Sequence, residues 1–540
     1  MISASDWLKE FASCLSSGNG EAVSKLFSAA GFWRDYLPFG WTLQTLEGRE
    51  QISEFAAKHG ATTAFSSPVF EGADSDEEGF FHFTTKDGVG RGHIRLMDGK
   101  CMTLFTMLDG LHGVAKTLGD SERPHVLIVG GGQGGLALGA QLSDLGISYL
   151  IVDKYPRVGD QWRSRYKSLV LHDPVWYDHL PFKPFPDDWP VFTPKDKMGD
   201  WLESYAKDLS LNVSTSTELL DAVFDDQSET WSATIRRDGR ERQIEATHIV
   251  FALGLSGFAN VPKFEGQDLF EGEQMHSSAY KGGTGFGGKN VVIIGANNSA
   301  HDIASDLVKH GANATMIQRS STLVVRQDDY CDKVLGPLYS KEALAKGITT
   351  QKADILQASV PLRLLEQHHK TVWDGIREER KAYYDELGTA GFTLDFAEDG
   401  TGLGMKYRRT ASGYYIDVGA AELVAKGEIA VRSGCTIERL GAQDVHLSNG
   451  ETLEADAIIY ATGYGNMTDW VAKFIDRETA DRVGPCWGYG SNTKGDPGPW
   501  TGELRNMWVP TPQKGLWFTG GNLSQARFFS RLLALQLAQP

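Results

Sequence analysis

Two glycine-bearing turns carry the first chemical information in this 540-residue chain. The apolar run His125–Val129 enters Gly130-Gly-Gly-Gln-Gly-Gly135, and a helix is predicted over Leu136–Leu145, so Gly130, Gly132 and Gly135 satisfy G-x-G-x-x-G. The first glycine allows the tight turn, the second lets a pyrophosphate approach the backbone, and the third lets helix and strand pack closely. Amides at the helix N-terminus then face the phosphates, with Gln133 a candidate contact. The next predicted strand, Ser148–Val152, runs into Asp153 and Lys154. Asp153 stands where a ribose hydroxyl needs an acceptor.

The second turn follows the apolar strand Asn290–Ile294 and reads Gly295-Ala-Asn-Asn-Ser-Ala300, with a helix predicted to His310. Gly295 is kept, while Asn297 and Ala300 take the other two glycine places; Asn298 and Ser299 sit between them. The following strand, Ala314–Gln318, ends in Arg319 and Ser320. A guanidinium cannot accept from ribose hydroxyls but pairs with a 2′-phosphate. The first site therefore suits FAD and the second NADPH. Two such sites imply electron flow from nicotinamide to flavin. A disulfide reductase would need a redox cysteine pair, and Cys14, Cys101, Cys331, Cys435 and Cys486 lie far apart with no CxxC. Ligand clusters for a metal are absent from the sequence too. Molecular oxygen remains as the acceptor, and with it a monooxygenase.

These turns must be positioned by a sizeable chain, roughly three or four domains at ~150 residues each. Lys and Arg number 53 against 70 Asp and Glu, a net charge of −17. That field opposes binding to nucleic acid or to an anionic membrane surface. The N-terminus has no basic or apolar signal region, and no run of ~18 apolar residues offers a spanning helix. With five unpatterned cysteines, a cytoplasmic location is the simplest expectation.

Residues 1–113 read as a small α+β unit. Trp7, Phe11 and Leu15 recur at helical spacing, and a short helix is expected over Glu21–Phe27. Strands are expected over Trp41–Leu46, Thr62–Phe70, Phe80–Thr85, Val89–Leu96 and Met102–Leu108, as an antiparallel meander. Trp33, Arg34 and Asp35 read either as pocket residues or as a structural cluster. Residues 114–124 read as a linker. Within 332–412, Leu365, Val372, Ile376, Tyr383 and Leu387 share one helical face, which marks a helical insertion. The division expected is 125–280 and 465–540 for FAD, with 281–331 and 413–464 for NADP.

Phe270-Glu-Gly-Glu-Gln-Met-His-Ser-Ser-Ala-Tyr280 fits F-x-G-x-x-x-H-x-x-x-Y and resembles the fingerprint of the flavin-containing monooxygenases. Gly159-Asp-Gln-Trp162 resembles their G-G-x-W segment, with Asp160 and Gln161 departing from it. Ala461-Thr-Gly-Tyr464 resembles their A-T-G-Y hinge, and Gly515–Asn522 their late FAD-contacting strand and loop. The resemblance covers residues 124–540. It implies two Rossmann-like domains, and FAD or NADP contacts at Gln161, Trp162, Ala461, Thr462, Gly463, Asn522 and Gln525. Arg527 and Ser530 would touch FAD or the pocket. It implies a C4a-(hydro)peroxyflavin as oxygenating species, and places His276 and Tyr280 on a link that couples domain movement to cofactor position. His172 and Asp173 either stabilise the oxygen adduct or cap the turn before Pro174. Tyr414, Tyr415 and Asp417 would close over the nicotinamide. Arg408 and Arg409 read as a solvated basic pair, with stabilisation of an anionic adduct as the alternative.

Residues 1–113 resemble the NTF2/SnoaL-like cone fold. Together with Lys281, they look most like the type II subgroup, which oxidises ketones as well as heteroatoms and accepts NADH beside NADPH. An N-hydroxylase or S-oxidase, a YUCCA-like monooxygenase of 2-oxo acids, and an NADPH-binding redox sensor are the alternatives. A homodimer is compatible with the sequence.

Overall fold

A computed structural model describes all residues except 1, 73–74, 116, 118–121, 256, 489–501 and 540. The expected linker over 114–124 thus lies partly outside the described residues. At the N-terminus, helix Ala4–Ser16 buries Trp7, Leu8, Phe11 and Leu15 along one stripe, and Ser3 caps it by accepting from the Asp6 amide at 3.2 Å. Strands Glu78–Thr84, Gly88–Met97 and Lys100–Leu111 form where the alternation predicted them.

Three expectations in this region are corrected. The second helix, Gly20–Lys25, stops before Phe27. Phe27–Tyr36 is a ten-residue strand, and it runs parallel to Lys100–Leu111, so the six-stranded sheet is not a plain meander. Residues 62–63 belong to helix Gly48–Thr63, which ends where Ala64 turns left-handed, and the strand begins only at Ser66. The β-branched pair Thr62-Thr63 favours strand locally, but the helix-forming residues before it carry the helix through.

Over Trp33–Tyr36, the buried end of strand Phe27–Tyr36, the side chains alternate between two cores. Trp33 packs with Phe11, Phe39 and Phe55, and Trp33 Nε1 donates to Thr106, whose hydroxyl donates to Asp35 at 2.8 Å. Tyr36 faces the other way, onto Phe105, Phe528 and Phe529. Phe528 and Phe529 belong to the C-terminal helix Leu523–Leu537. The N-terminal sheet therefore shares a core with the rest of the chain.

Two five-stranded parallel sheets follow. One has the order Leu516–Phe518, His248–Phe251, Val126–Val129, Tyr149–Val152, Val213–Ser214; the other Glu273–His276, Ala457–Tyr460, Asn290–Ile294, Asn313–Gln318, Ile429–Ser433. Strands Val126–Val129, Tyr149–Val152 and Ala457–Tyr460, and the middle strand Asn290–Ile294 after its first residue, are apolar and buried, as parallel sheets require. The insertion supplies helices Thr350–Ala358, Leu362–Glu379, Lys381–Thr389 and Gly402–Thr410. The single apolar face expected from Leu365 to Leu387 is split, because the chain breaks at Arg380 and starts a new helix.

Candidate functional site

The first glycine turn is built as a cradle. Gly130 has φ +113°, and a Cβ there would stand 2.4 Å from the carbonyl oxygen of Ala252; one on Gly135 would meet the Gly130 oxygen at 2.0 Å. A Cβ on Gly132 would meet only Gln161 Nε2, at 3.3 Å. Helix Gln133–Leu145 begins at Gly132 without a side-chain cap, so its first amides are left for a ligand. Beside it, both polar atoms of the Gln161 amide and Trp162 Nε1 are buried without a protein partner. These orphaned groups and the uncapped helix fit a dinucleotide. Asp153 is buried and accepts from Gly131 N at 2.6 Å and Tyr155 N at 2.8 Å. It braces the turn, and burial raises its pKa; lone pairs beyond these two bonds remain to accept from a ribose. Lys154 is exposed, 5.4 Å from the Tyr155 ring.

The second turn repeats the design. Gly295 has φ +129°, and a Cβ there would stand 2.3 Å from the oxygen of Ala461. Helix Asn298–Lys309 starts at Asn297, which makes no side-chain cap. Instead Asn297 Oδ1 accepts from Thr322 at 3.3 Å, and Asn298 Oδ1 accepts from Ile416 N at 3.0 Å. Ser299 is half-buried and Ala300 is buried against the sheet. Arg319 and Ser320 are both exposed just past Asn313–Gln318. Ala461 and Thr462 lie beside this turn, and Thr462 Oγ1 donates to Asn260 O.

Both turns open onto one mostly apolar cavity of about 610 Å³, which receives Gln133 from the first and Asn298 from the second. Trp162, His172, Asp173, Arg408, Tyr414, Asn522 and Gln525 also line it. Asn522 and Gln525 form a reciprocal capping box on helix Leu523–Leu537. Burial pushes the Asp173 carboxyl up to about 6, and burial together with Asp173 raises Asp178 next to it. Arg408 donates to Gly404 O at 2.9 Å and has no recorded carboxylate partner among the described residues.

Other candidates lie elsewhere. Arg409 is not solvated: it is buried and paired with Glu366 and Asp399. Asp417 does not line the cavity; it accepts from the Tyr383 hydroxyl and from Gly419 N and Ala421 N, at the start of helix Ala420–Ala425. Tyr415 is buried, stacked on His301 at 4.0 Å. Arg527 pairs with Asp354 and donates to the carbonyls of Tyr177 and His179, and Ser530 is fully buried. His276 and Tyr280 are also outside the cavity. His276 Nδ1 accepts from Ser278 N, which leaves Nε2–H to donate to Gly463 O at 3.0 Å; burial holds the ring neutral. Tyr280 is buried and donates to Asp306 at 2.7 Å. Tyr280→Phe is expected to cost about 1.5–3 kcal/mol, one hydrogen bond to a charged group, in urea unfolding, without altering the NADPH KM.

Sequence reasoning missed the contribution of Tyr36, Glu503 and the insertion residues Leu356, Val360, Leu365 and Val372 to the cavity. Strand alternation around Trp33 would have grouped Arg34 with Tyr36 and separated them from Asp35, had the strand been recognised.

Two dinucleotide turns serving one chamber define a nicotinamide-linked flavin oxidoreductase. A family model described as pyridine nucleotide-disulphide oxidoreductase matches residues 127–396, half of the chain, and the chain belongs to that family. A probable indole-3-pyruvate monooxygenase of Arabidopsis thaliana is 28% identical over 354 residues, covering 64% of this chain and 74% of the relative. An indole-3-pyruvate monooxygenase of Oryza sativa subsp. japonica is 28% identical over 362 residues, 67% of this chain and 82% of the relative. A flavin-containing monooxygenase from Stenotrophomonas maltophilia superposes over 77% of this chain and 98% of its own, with TM-score 0.51 and 18% identity. A steroid monooxygenase bound to NADP superposes over 67% and 77%, with TM-score 0.50 and 19% identity.

Proposed function

We propose that this protein is a FAD- and NADPH-dependent monooxygenase of small organic molecules. The observation that carries this reading is one mostly apolar chamber onto which both glycine turns open, combined with five cysteines that form no disulfide. Disulphide chemistry needs two adjacent thiols; Cys331 stands alone, and burial pushes its thiol up to about 12. When bound, FAD takes the hydride of NADPH and supplies the site where O2 is activated. The protein's share is to hold the two dinucleotides at Gly130–Gly135 and Gly295–Ala300, to exclude water with an apolar wall, and to manage protons. His276 acts as a positioning residue through Gly463, and Tyr280 braces the fold of the link through Asp306. Tyr414 closes the cavity beside the second turn.

Asp173 is the residue we assign to proton movement, at its cavity-facing carboxyl. Burial keeps it protonated, and able to donate, to a higher pH than an ordinary carboxyl; once ionised it accepts. Sulfide oxidation, which needs a proton delivered at the transfer site, is expected to fall in kcat/KM as pH rises from 6 to 7. Asp173→Asn should flatten that limb. A pH profile unchanged by the substitution would remove Asp173 from the mechanism.

Arg408 favours a second reading of the substrate, as an acid. Among the described residues the Arg408 guanidinium donates to Gly404 O, and a guanidinium so placed at the wall of a mostly apolar chamber suits a carboxylate. The plant relatives are named for a 2-oxo acid. Mass spectrometry of products from NADPH with a cyclic ketone, a sulfide, a tertiary amine and an aryl 2-oxo acid separates these classes. NADPH consumption that yields only peroxide with all four would sink the monooxygenase reading. We further propose that residues 1–113 are an NTF2-like unit and that the protein works in the cytoplasm. No described helix is long and apolar enough to cross a membrane.

A further inference from the structure

The N-terminal sheet reaches into the chamber that the glycine turns share. Arg34 and Tyr36 line it together with Glu503. Arg34 and Glu503 are 5% and 6% exposed, and they form a two-pronged pair, Nε to Oε1 at 2.6 Å and Nη2 to Oε2 at 2.8 Å. The remaining capacity of Glu503 is used within the same unit: Tyr36 Oη donates to Oε2 and Thr45 Oγ1 to Oε1, each at 2.8 Å. Saturated in this way, the carboxylate offers little to a ligand.

What the cluster does instead is hold another part of the wall. Arg34 Nη1 donates to Ala358 O at 2.6 Å and to Val360 O at 3.0 Å, where helix Thr350–Ala358 ends. Carbonyls at a helix C-terminus lack intrahelical donors, so a guanidinium there fixes the helix end. Other contacts from the same sheet converge on this segment. Arg95 Nη1 donates to Ser359 Oγ at 2.9 Å, Glu47 pairs with Arg363 at 2.8 Å, and Lys352 sits over the Phe80 ring at 5.9 Å. The segment so gripped contributes Leu356, Ala358, Val360 and Leu362 to the cavity.

We infer that the N-terminal sheet sets the bore of the substrate chamber, with Arg34 as a positioning residue that acts through Glu503 and the 356–362 segment, so that elongated apolar substrates are selected by length. This inference rests on the chamber being the substrate site of the proposed monooxygenase. Apolar wall segments select by shape, and a rigid wall rejects an extra methylene that a loose one admits.

The test uses the full-length, flavin-loaded protein and a series of phenyl alkyl ketones of increasing chain length. Kd is read by calorimetry and product by mass spectrometry. In the parent protein, affinity should rise about fourfold per methylene and then break off at a fixed length. Because removing one partner alone strands a buried charge, the pair is replaced together, as Arg34→Met with Glu503→Met. The longest ketones should then gain about tenfold over the shortest, with flavin content and NADPH affinity unchanged. Arg34→Lys keeps one charge but cannot bridge both carbonyls and Glu503, and should fall between the two. Arg95→Met removes the Ser359 bond from this segment, along with the Glu78 pair and the Thr103 bond inside the sheet, and serves if the double variant does not fold; it should shift the break in the same direction, by less. Equal changes in Kd along the whole series, or none, would overturn the inference. Ketones that bind with the expected profile but give no oxygenated product would leave the length selection standing and overturn their assignment as substrates.

Discussion

Gly132→Val is expected to yield a folded but nearly colourless protein. At this position a Cβ meets only Gln161 Nε2, at 3.3 Å, so the protein itself tolerates the side chain. The isopropyl group would instead occupy the space the uncapped helix Gln133–Leu145 presents to a pyrophosphate. Overpacking costs about 1–3 kcal/mol, and lost amide-to-phosphate bonds about 1.5–3 more. Together these weaken FAD roughly a hundredfold or beyond, since each 1.4 kcal/mol is tenfold. Gly130→Val is the contrasting variant. Its Cβ would lie 2.4 Å from Ala252 O on a backbone at φ +113°, so it should lose the fold of the turn as well. Flavin absorbance per protein and circular dichroism distinguish the two. A Gly132→Val protein that keeps full flavin would show that the pyrophosphate lies elsewhere.

The contrast between these glycines also shows what is legible in sequence. Local backbone demands are: Gly130 and Gly135 have to be glycines, and the turn, the strand before it and the helix after it lie within a few residues of where the sequence predicts them. In the second turn one glycine of three is kept, and the strand before it and the helix after it make the strand–turn–helix legible. Residues whose role depends on distant partners were not legible. Arg409 next to Arg408 looks like a solvated pair, yet the rotation of roughly 100° between adjacent helix residues sends Arg409 into a buried cluster with Glu366 and Asp399 and Arg408 into the cavity. Asp417 has the chemistry of a catalytic acid, but hydrogen bonds with Tyr383 and two amides occupy it. The Arg34–Glu503 pair joins residues 469 positions apart, and no period or motif encodes such a meeting. The missed strand Phe27–Tyr36 hid it further, since alternation separates Arg34 from Asp35 only once a strand is known.

Arg319→Ala should weaken NADPH and spare NADH. The second turn offers no carboxylate at the end of Asn313–Gln318, where Asp153 stands in the first; Arg319 and Ser320 follow instead, both exposed. A guanidinium–phosphate contact is a charge-assisted bond worth about 1.5–3 kcal/mol, equal to about 10- to 150-fold. Exposure to solvent and salt screens it, so the lower end, about tenfold in the KM for NADPH, is the expected result. NADH lacks the phosphate and should respond by less than twofold on the same reasoning. Arg319→Lys separates charge from geometry. An ammonium keeps the attraction but loses the planar fork, so it should recover part of the tenfold at low salt and little of it at high salt, where screening removes the point-charge share. Steady-state NADPH and NADH oxidation by parent and both variants, at two ionic strengths, provides the readout. Equal weakening of both cofactors would make Arg319 a support of the strand end, and the 2′-phosphate would then have to be met by another cation.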